Sequence, residues 1–169
     1  MSSTYHTTEG IVIKKTPYGE ADFLTRILTK DFGKVDLRVR GARKHNSKLN
    51  PHLDLLDCIS VSFVKNSDRM PTVIDSQKVS NFSIFSANQS NFTEAAKIVR
   101  AIDLLIPLEV KDQKLFFVIR DFLASFPKTS SEKFVQNIIS HEGYGKALSL
   151  PESVQEFIIN TWPRLENLQ

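Results

Sequence analysis

The sequence predicts an α+β chain, a five-stranded OB-type β-barrel followed by a small all-α domain, and three observations carry that expectation. Through residues 1–82 apolar and polar residues alternate with a period of two, and beyond residue 83 the apolar residues recur at a period near 3.6. Turn clusters such as "PYGEA" and "NSDRMP" separate the strand-like runs. Strands gathered before helices indicate segregated layers, so the expected domains are 1–82 and 83–169.

The elements follow in order. "EGIVIKKT" is a β-branched run that ends at "PYGEA", and "DFLTRILTK" is a second strand closed by "DFG". Both faces of that second run carry apolar residues. In "KVDLRVR", Val35, Leu37 and Val39 fall on one face and Asp36, Arg38 and Arg40 on the other, as in a half-buried strand. "NSKLNPHLDLL" is long enough for one helical turn. "DCISVSFVK" repeats the alternation, with Ile59, Val61 and Phe63 inward, and "TVIDSQKVS" supplies the fifth strand after "NSDRMP". Four helices are expected next. "NFTEAAKIVRAIDLLIPL" has Asn91 or Thr93 as N-cap and Pro107 as its stop, and "VKDQKLFFVIRDFLASF" repeats its spacing. "SEKFVQNIISHEGYG" starts on a serine and stops at Gly143, and "PESVQEFIINTW" has Pro151 in a first turn.

Charge is unevenly placed. Between Arg26 and Lys48 stand eight basic residues (Arg26, Lys30, Lys34, Arg38, Arg40, Arg43, Lys44, Lys48) against two acidic ones, Asp31 and Asp36, while the whole chain carries a formal +3. A concentration of this kind points to a polyanionic partner. Five strands with this order of loops are most simply an OB-type barrel, which binds oligonucleotides across strands 2 and 3 and the loops joining strands 1–2 and 4–5. The outward face of strand 3 then offers Arg38 and Arg40 to phosphates or bases. Arg26 lies beside them, and Arg43, Lys44 and Lys48 extend the track along a loop.

Several chemistries are excluded or disfavoured. Cys58 is the single cysteine, which rules out an intramolecular disulfide framework and a Cys-rich zinc site and points to a reducing compartment. No leader opens the chain, and "LFFVI" and "LLIPL" are far shorter than the roughly 20 residues a bilayer requires, so a cytoplasmic protein with no membrane partner is expected. His6, His45, His52 and His141 stand apart, without metal-ligand spacing. "GYG" at Gly143–Gly145 lacks the Walker pattern and reads as a helix C-terminus. Glu20 and Asp22, two residues apart, read as a polar turn bonded to backbone amides or to neighbouring arginines. No nucleophile stands beside a positioned base, so no enzyme and no cofactor are expected. Among the aromatics, Tyr18 and Phe32 are candidates for exposure and base stacking, and Phe85 for core packing.

The run "EGIVIKKTPYGEADFLTRILTKDFGKVDLRVRGARKHNSKLNPHLDLLD" resembles the opening of the RecO family of bacterial recombination mediators. The resemblance lies in the early glycine, the Tyr18-x-Glu20-x-Asp22 turn, Thr29 before Gly33 and Lys34, the run Gly41-Ala42-Arg43-Lys44, and then Ser47 and Leu49. It covers roughly the first 80 residues. "FVQNIISHEGYG" resembles the family's helix-then-Gly-Tyr junction more loosely. Many relatives continue with a four-Cys zinc site, which this chain's single cysteine does not provide, so it looks like a short form without bound metal.

The resemblance implies an OB-fold domain that binds single- and double-stranded DNA, anneals complementary strands and assists recombinase loading. Its implied partners are the acidic C-terminal tail of single-stranded-DNA-binding protein, and RecR. On this reading Arg26, Lys34, Arg38, Arg40, Arg43, Lys44, Lys48 and Arg69 contact DNA. Lys97, Arg100, Lys114 and Arg120, beside apolar helix positions together with Lys111, would receive the acidic tail. Two rivals share the sequence features: an RNA-binding translation or ribosome-assembly factor, and a protein-interaction adaptor.

Overall fold

The structure, a computed structural model, describes residues 3–45, 47–49, 52–67, 69–145 and 147–166. The chain divides into two compact units, Met1–Phe82 with Leu108–Phe116, and Ser83–Pro107 with Phe117–Gln169.

In the first unit, β1 (Ser3–Tyr18), β2 (Asp22–Thr29), β3 (Gly33–Val39), β4 (Asp57–Asn66) and β5 (Arg69–Asn81) close into a barrel of order β1-β2-β3-β5-β4. This is the ring expected of the OB type, with β3 and β5 the one parallel pair. β1 is longer than "EGIVIKKT" because it serves two neighbours. Ser3–Ile11 pairs with β4, Gly10–Tyr18 pairs with β2, and a register shift lies between Val12 and Lys14. Where the two ladders meet, a side chain on Gly10 would come within 2.5 Å of Ile27 Cγ2, so the bend needs a bare backbone. β5 begins three residues earlier than "TVIDSQKVS", which takes Arg69, Met70 and Pro71 out of the expected turn. The one-turn helix expected within "NSKLNPHLDLL" falls partly on residues 46, 50 and 51, outside the described residues.

The alternation seen in the sequence builds the core. Val35, Leu37 and Val39 of β3 meet Ile59, Val61 and Phe63 of β4, with Val12, Ile27, Leu53 and Val73 around them. The apolar residues on both faces of β2 reflect burial of both: Ile27 is fully covered and Leu28 nearly so.

A segment distant in sequence completes this unit. Leu108 bridges to Lys34 in parallel, and the Glu109 amide donates to the Lys34 carbonyl at 2.8 Å. Gln113 Nε2 donates to Asp31 Oδ1 (2.9 Å), and Thr8 Oγ1 donates to Asp31 Oδ2 (2.7 Å). Gly33 admits this strap. Its φ of +69° suits glycine, and any Cβ there would collide with the Val110 backbone.

The helices are α1 (Gln89–Leu105), α2 (Gln113–Ser125), α3 (Ser131–His141) and α4 (Glu152–Thr161). Two caps differ from expectation. Asn88, rather than Asn91 or Thr93, caps α1 by accepting from the Asn91 amide at 2.9 Å, and Pro151 precedes α4 as its N-cap rather than lying in its first turn. Ser130 caps α3, which leaves Ser131 buried, bonded to Glu94 and accepting from Trp162 Nε1. Phe122 and Phe134 stack with centroids 3.8 Å apart, and Phe85 is buried against Phe126 as the sequence implied. Among the described residues no helix is long and apolar enough to cross a membrane, and no cluster of His, Cys, Asp and Glu is arranged to hold a metal.

Candidate nucleic-acid interface

The β2–β3 hairpin decides what the strand arginines do. Its register sets Arg26 opposite Asp36 and Leu24 opposite Arg38. Arg26 meets Asp36 in a bidentate pair, Nε–Oδ1 at 2.6 Å and Nη2–Oδ2 at 2.7 Å. Arg38 reaches Asp22 with both Nε and Nη2 at 2.6 Å from Oδ2. The expectation of two uncommitted arginines on this face is therefore corrected. Cross-strand carboxylates match their charge, Asp36 from directly opposite Arg26 and Asp22 from the position diagonal to Arg38, within reach of a long side chain.

Lys34 is a second correction. It follows the polar phase of β3, yet only 3% of it is accessible, because the strap at Leu108 and Glu109 lies against it. Its placement is that of a core-edge residue.

Asp22 does more than neutralise Arg38. Its Oδ1 accepts from the Gly41 amide at 2.8 Å, which fastens the end of β3 to the start of β2. The Arg43 amide bonds the Ala21 carbonyl, and Arg43 Nη1 donates to the Gly19 carbonyl, both at 2.9 Å. The polar turn read around Glu20 and Asp22 is thus a latch between two loops, as its bland reading anticipated. Asp22 holds its proton less readily than an ordinary carboxyl, chiefly through the Gly41 hydrogen bond and then through Arg38. Asp31 shifts in the same direction, with the Thr8 hydrogen bond the main cause.

Beyond the latch the cations turn outward. Arg40, Arg43, Lys44 and Lys48 are exposed on the loop after β3, as is His45 between them. Arg69 is exposed at the start of β5. The ladder pair Arg38↔Thr72 joins β3 to this part of β5. Tyr18, at the tip of β1, is 43% exposed, and the Arg38 guanidinium lies 5.4 Å from its ring centroid. An aromatic face backed by a paired cation, with exposed cations on the loop after β3, can stack a base and offset phosphate charge together. Phe32 differs from expectation: it is half-buried, edge-on to His6 and Phe63 at 4.9 and 5.5 Å.

The helical candidates are more committed than the sequence suggested. Lys97 pairs with Glu94, Arg100 with Asp103 and Arg120 with Asp121, and Arg120 also stacks over Phe117. Lys114 is exposed and falls in the first unit, apart in the division of the chain from the other three.

The hairpin register was the signal for the paired arginines. A three-residue turn at 30–32 pairs Thr29 with Gly33 and so sets Arg26 opposite Asp36, whichever face is outward. His6, Lys65 and the strap had no such signal, since their neighbours are brought by non-local contacts.

Comparison with known proteins shows what the sequence is similar to. Residues 1–82 match the family described as Recombination protein O N terminal. The DNA repair protein RecO of Thermodesulfovibrio yellowstonii is 29% identical over 124 residues, 73% of this chain and 50% of that protein. The DNA repair protein RecO of a Synechococcus species is 26% identical over 152 residues, 85% of this chain and 53% of that one. That of Dehalococcoides mccartyi strain CBDB1 is 36% identical over 75 residues, 44% and 29% of the two chains. The chain spans about half the length of the first two relatives.

Proposed function

We propose that the chain is a RecO-family protein, on the match of residues 1–82, and that it binds DNA in repair and recombination without catalysing a reaction itself. The observation that carries the proposal is the exposed loop of Arg40, Arg43, Lys44 and Lys48, its base fastened by Asp22. Two strands repel through their phosphates. A cationic loop lowers that repulsion without engaging the pairing edges of the bases, so complementary strands can anneal upon it.

Five contacts are assigned to the backbone: Arg40, Arg43, Lys44, Lys48 and Arg69. Tyr18 stacks a base in front of Arg38. Arg26, Arg38 and Lys34 act by holding the barrel wall that presents the loop. The acidic tail of single-stranded-DNA-binding protein is assigned to Lys97, Arg100 and Arg120 of the second unit, in exchange for their internal ion pairs. Assistance in recombinase loading and partnership with RecR complete the proposal, with the cytoplasm as its compartment.

The test is salt-dependent binding to a single strand, followed by an annealing assay. Five phosphate contacts give a slope of about −3.5 in log affinity against log salt. Salt-insensitive binding, or preference for a matched RNA strand without annealing, would overturn this reading in favour of its rivals.

A further inference from the structure

The barrel closes along one seam with few ladder pairs. β3 pairs with β2 at every position from Gly33 to Val39, whereas among the described residues its ladder with β5 holds the single pair Arg38↔Thr72. At the other end of β3 the strap bridges at Lys34. Between these two ties Val35, Asp36 and Leu37 line a cavity of about 270 Å³, which continues to Pro71 at the start of β5. Every lining residue belongs to the first unit.

Its floor is aromatic. His6, Phe32 and Phe63 form a triangle with centroids 4.9, 5.3 and 5.5 Å apart. Phe63 is buried, while His6 and Phe32 are half-exposed within the cavity lining. The volume lies just under the range typical of sites for drug-sized ligands, which suits one flat heterocycle rather than a larger molecule.

The rim carries charge of both signs. The carboxylates of Asp31 and Asp36 are engaged, Asp31 by Thr8 and Gln113 and Asp36 by Arg26. Lys65, Lys111 and Glu109 are exposed at the mouth. Lys65 and Lys111 can each accept a backbone phosphate beside an inserted group, in a lining that also holds the three carboxylates Asp31, Asp36 and Glu109. The seam also abuts the basic track, since Arg38 and Thr72 close its upper end.

We propose that this seam is a nucleobase subsite: one unpaired base of a single strand inserts over His6 and Phe32, with its flanking phosphates at Lys65 and Lys111. The inference rests on the DNA-binding reading and adds to it a reason to prefer single strands. A paired base has neither the freedom nor the reach to enter a slot in a barrel wall, whereas the exposed loop serves single strands and duplex alike.

The test compares an oligothymidylate with an abasic oligomer of equal length and a blunt duplex, on the full chain at low salt. The expected result is that the oligothymidylate binds roughly ten- to a hundredfold more tightly than the abasic strand, the range base stacking provides. Phe32→Leu, which keeps an apolar side chain but removes the ring, should cut that preference about tenfold while leaving duplex and abasic binding unchanged. Wild-type binding without base preference, or a preference untouched by Phe32→Leu in a folded variant, overturns the subsite and leaves the DNA-binding reading standing. Binding to none of the three overturns both. Photocrosslinking of the wild-type chain to a 5-iododeoxyuridine oligomer decides the matter should Phe32→Leu fail to fold. Adducts at His6 or Phe32 support the subsite, and adducts confined to Tyr18 and the basic loop refute it.

Discussion

The arginines of the barrel wall and the cations of the loop that follows it lie within a few residues of one another, yet they occupy different electrostatic worlds. Arg26 and Arg38 sit on strands whose register delivers a carboxylate to each, so their positive charge is matched locally. Arg40, Arg43, Lys44 and Lys48 sit past the end of that ladder and all four are exposed, Arg40 close enough to Asp22 to help hold its carboxyl ionised. Charge on a ladder is drawn into the fold; charge on a loop stays available to a partner. A count of basic residues between Arg26 and Lys48 merges the two groups, and only the second offers its charge outward.

The comparison breaks most sharply if the loop is not the contact. Replacing Arg40, Arg43, Lys44 and Lys48 together by alanine should weaken single-strand binding by a hundredfold or more at low salt. The slope of log affinity against log salt should become shallower by about 2.8, the share of the four contacts removed. The melting temperature of the variant should stay within about 2 °C of wild type, because exposed loop charges add little to stability. A melting loss comparable to the binding loss would show that the loop is part of the scaffold after all.

Asp22 tests the other member of the comparison. Asp22→Asn keeps the shape but weakens the bonds to Gly41 and Arg38, and a stability loss of roughly 1–2 kcal/mol is expected at neutral pH by denaturant unfolding. The pH dependence is signed. Because the folded carboxyl ionises more readily than its ordinary value of 3.8, its contribution is complete above that value and is lost as the pH falls from there through the folded value. The variant should lose less stability than wild type across that acid range. Part of the slope persists, since Asp31 is displaced in the same direction. An unchanged acid profile would remove Asp22 as the latch.

Arg26→Gln gives the smallest effect. The pair with Asp36 is about a quarter exposed on each side, so its loss should cost at most about 1 kcal/mol and leave DNA affinity within twofold. A tenfold loss of affinity would move Arg26 from the wall to the contact surface.

Much of this was legible in the chain. The alternation Val35, Leu37, Val39 placed β3, and Ile59, Val61, Phe63 placed β4, because a half-buried strand writes its period directly into composition. The latch at Asp22 was partly legible too, as a turn whose carboxylates bond amides. Caps were less so: Asn88, Asn91 and Thr93 all satisfy the chemistry of an N-cap, and only the path of the chain before α1 selects Asn88. The burial of Lys34 was not legible at all, since it depends on a strap 74 residues further on.

What the sequence determined by itself was therefore periodic and local: five strands, four helices, their turns, and where positive charge is dense. The tertiary structure alone decided which charges are matched and where the barrel is most sparsely paired. Ion pairing depends on distances of a few ångströms between residues that a register or a distant segment brings together. The seam exists because β3 meets β5 at one rung while a strap from beyond α1 closes only its far end. Short-range periodicity carries no record of either event, because both arise from contacts between segments far apart along the chain.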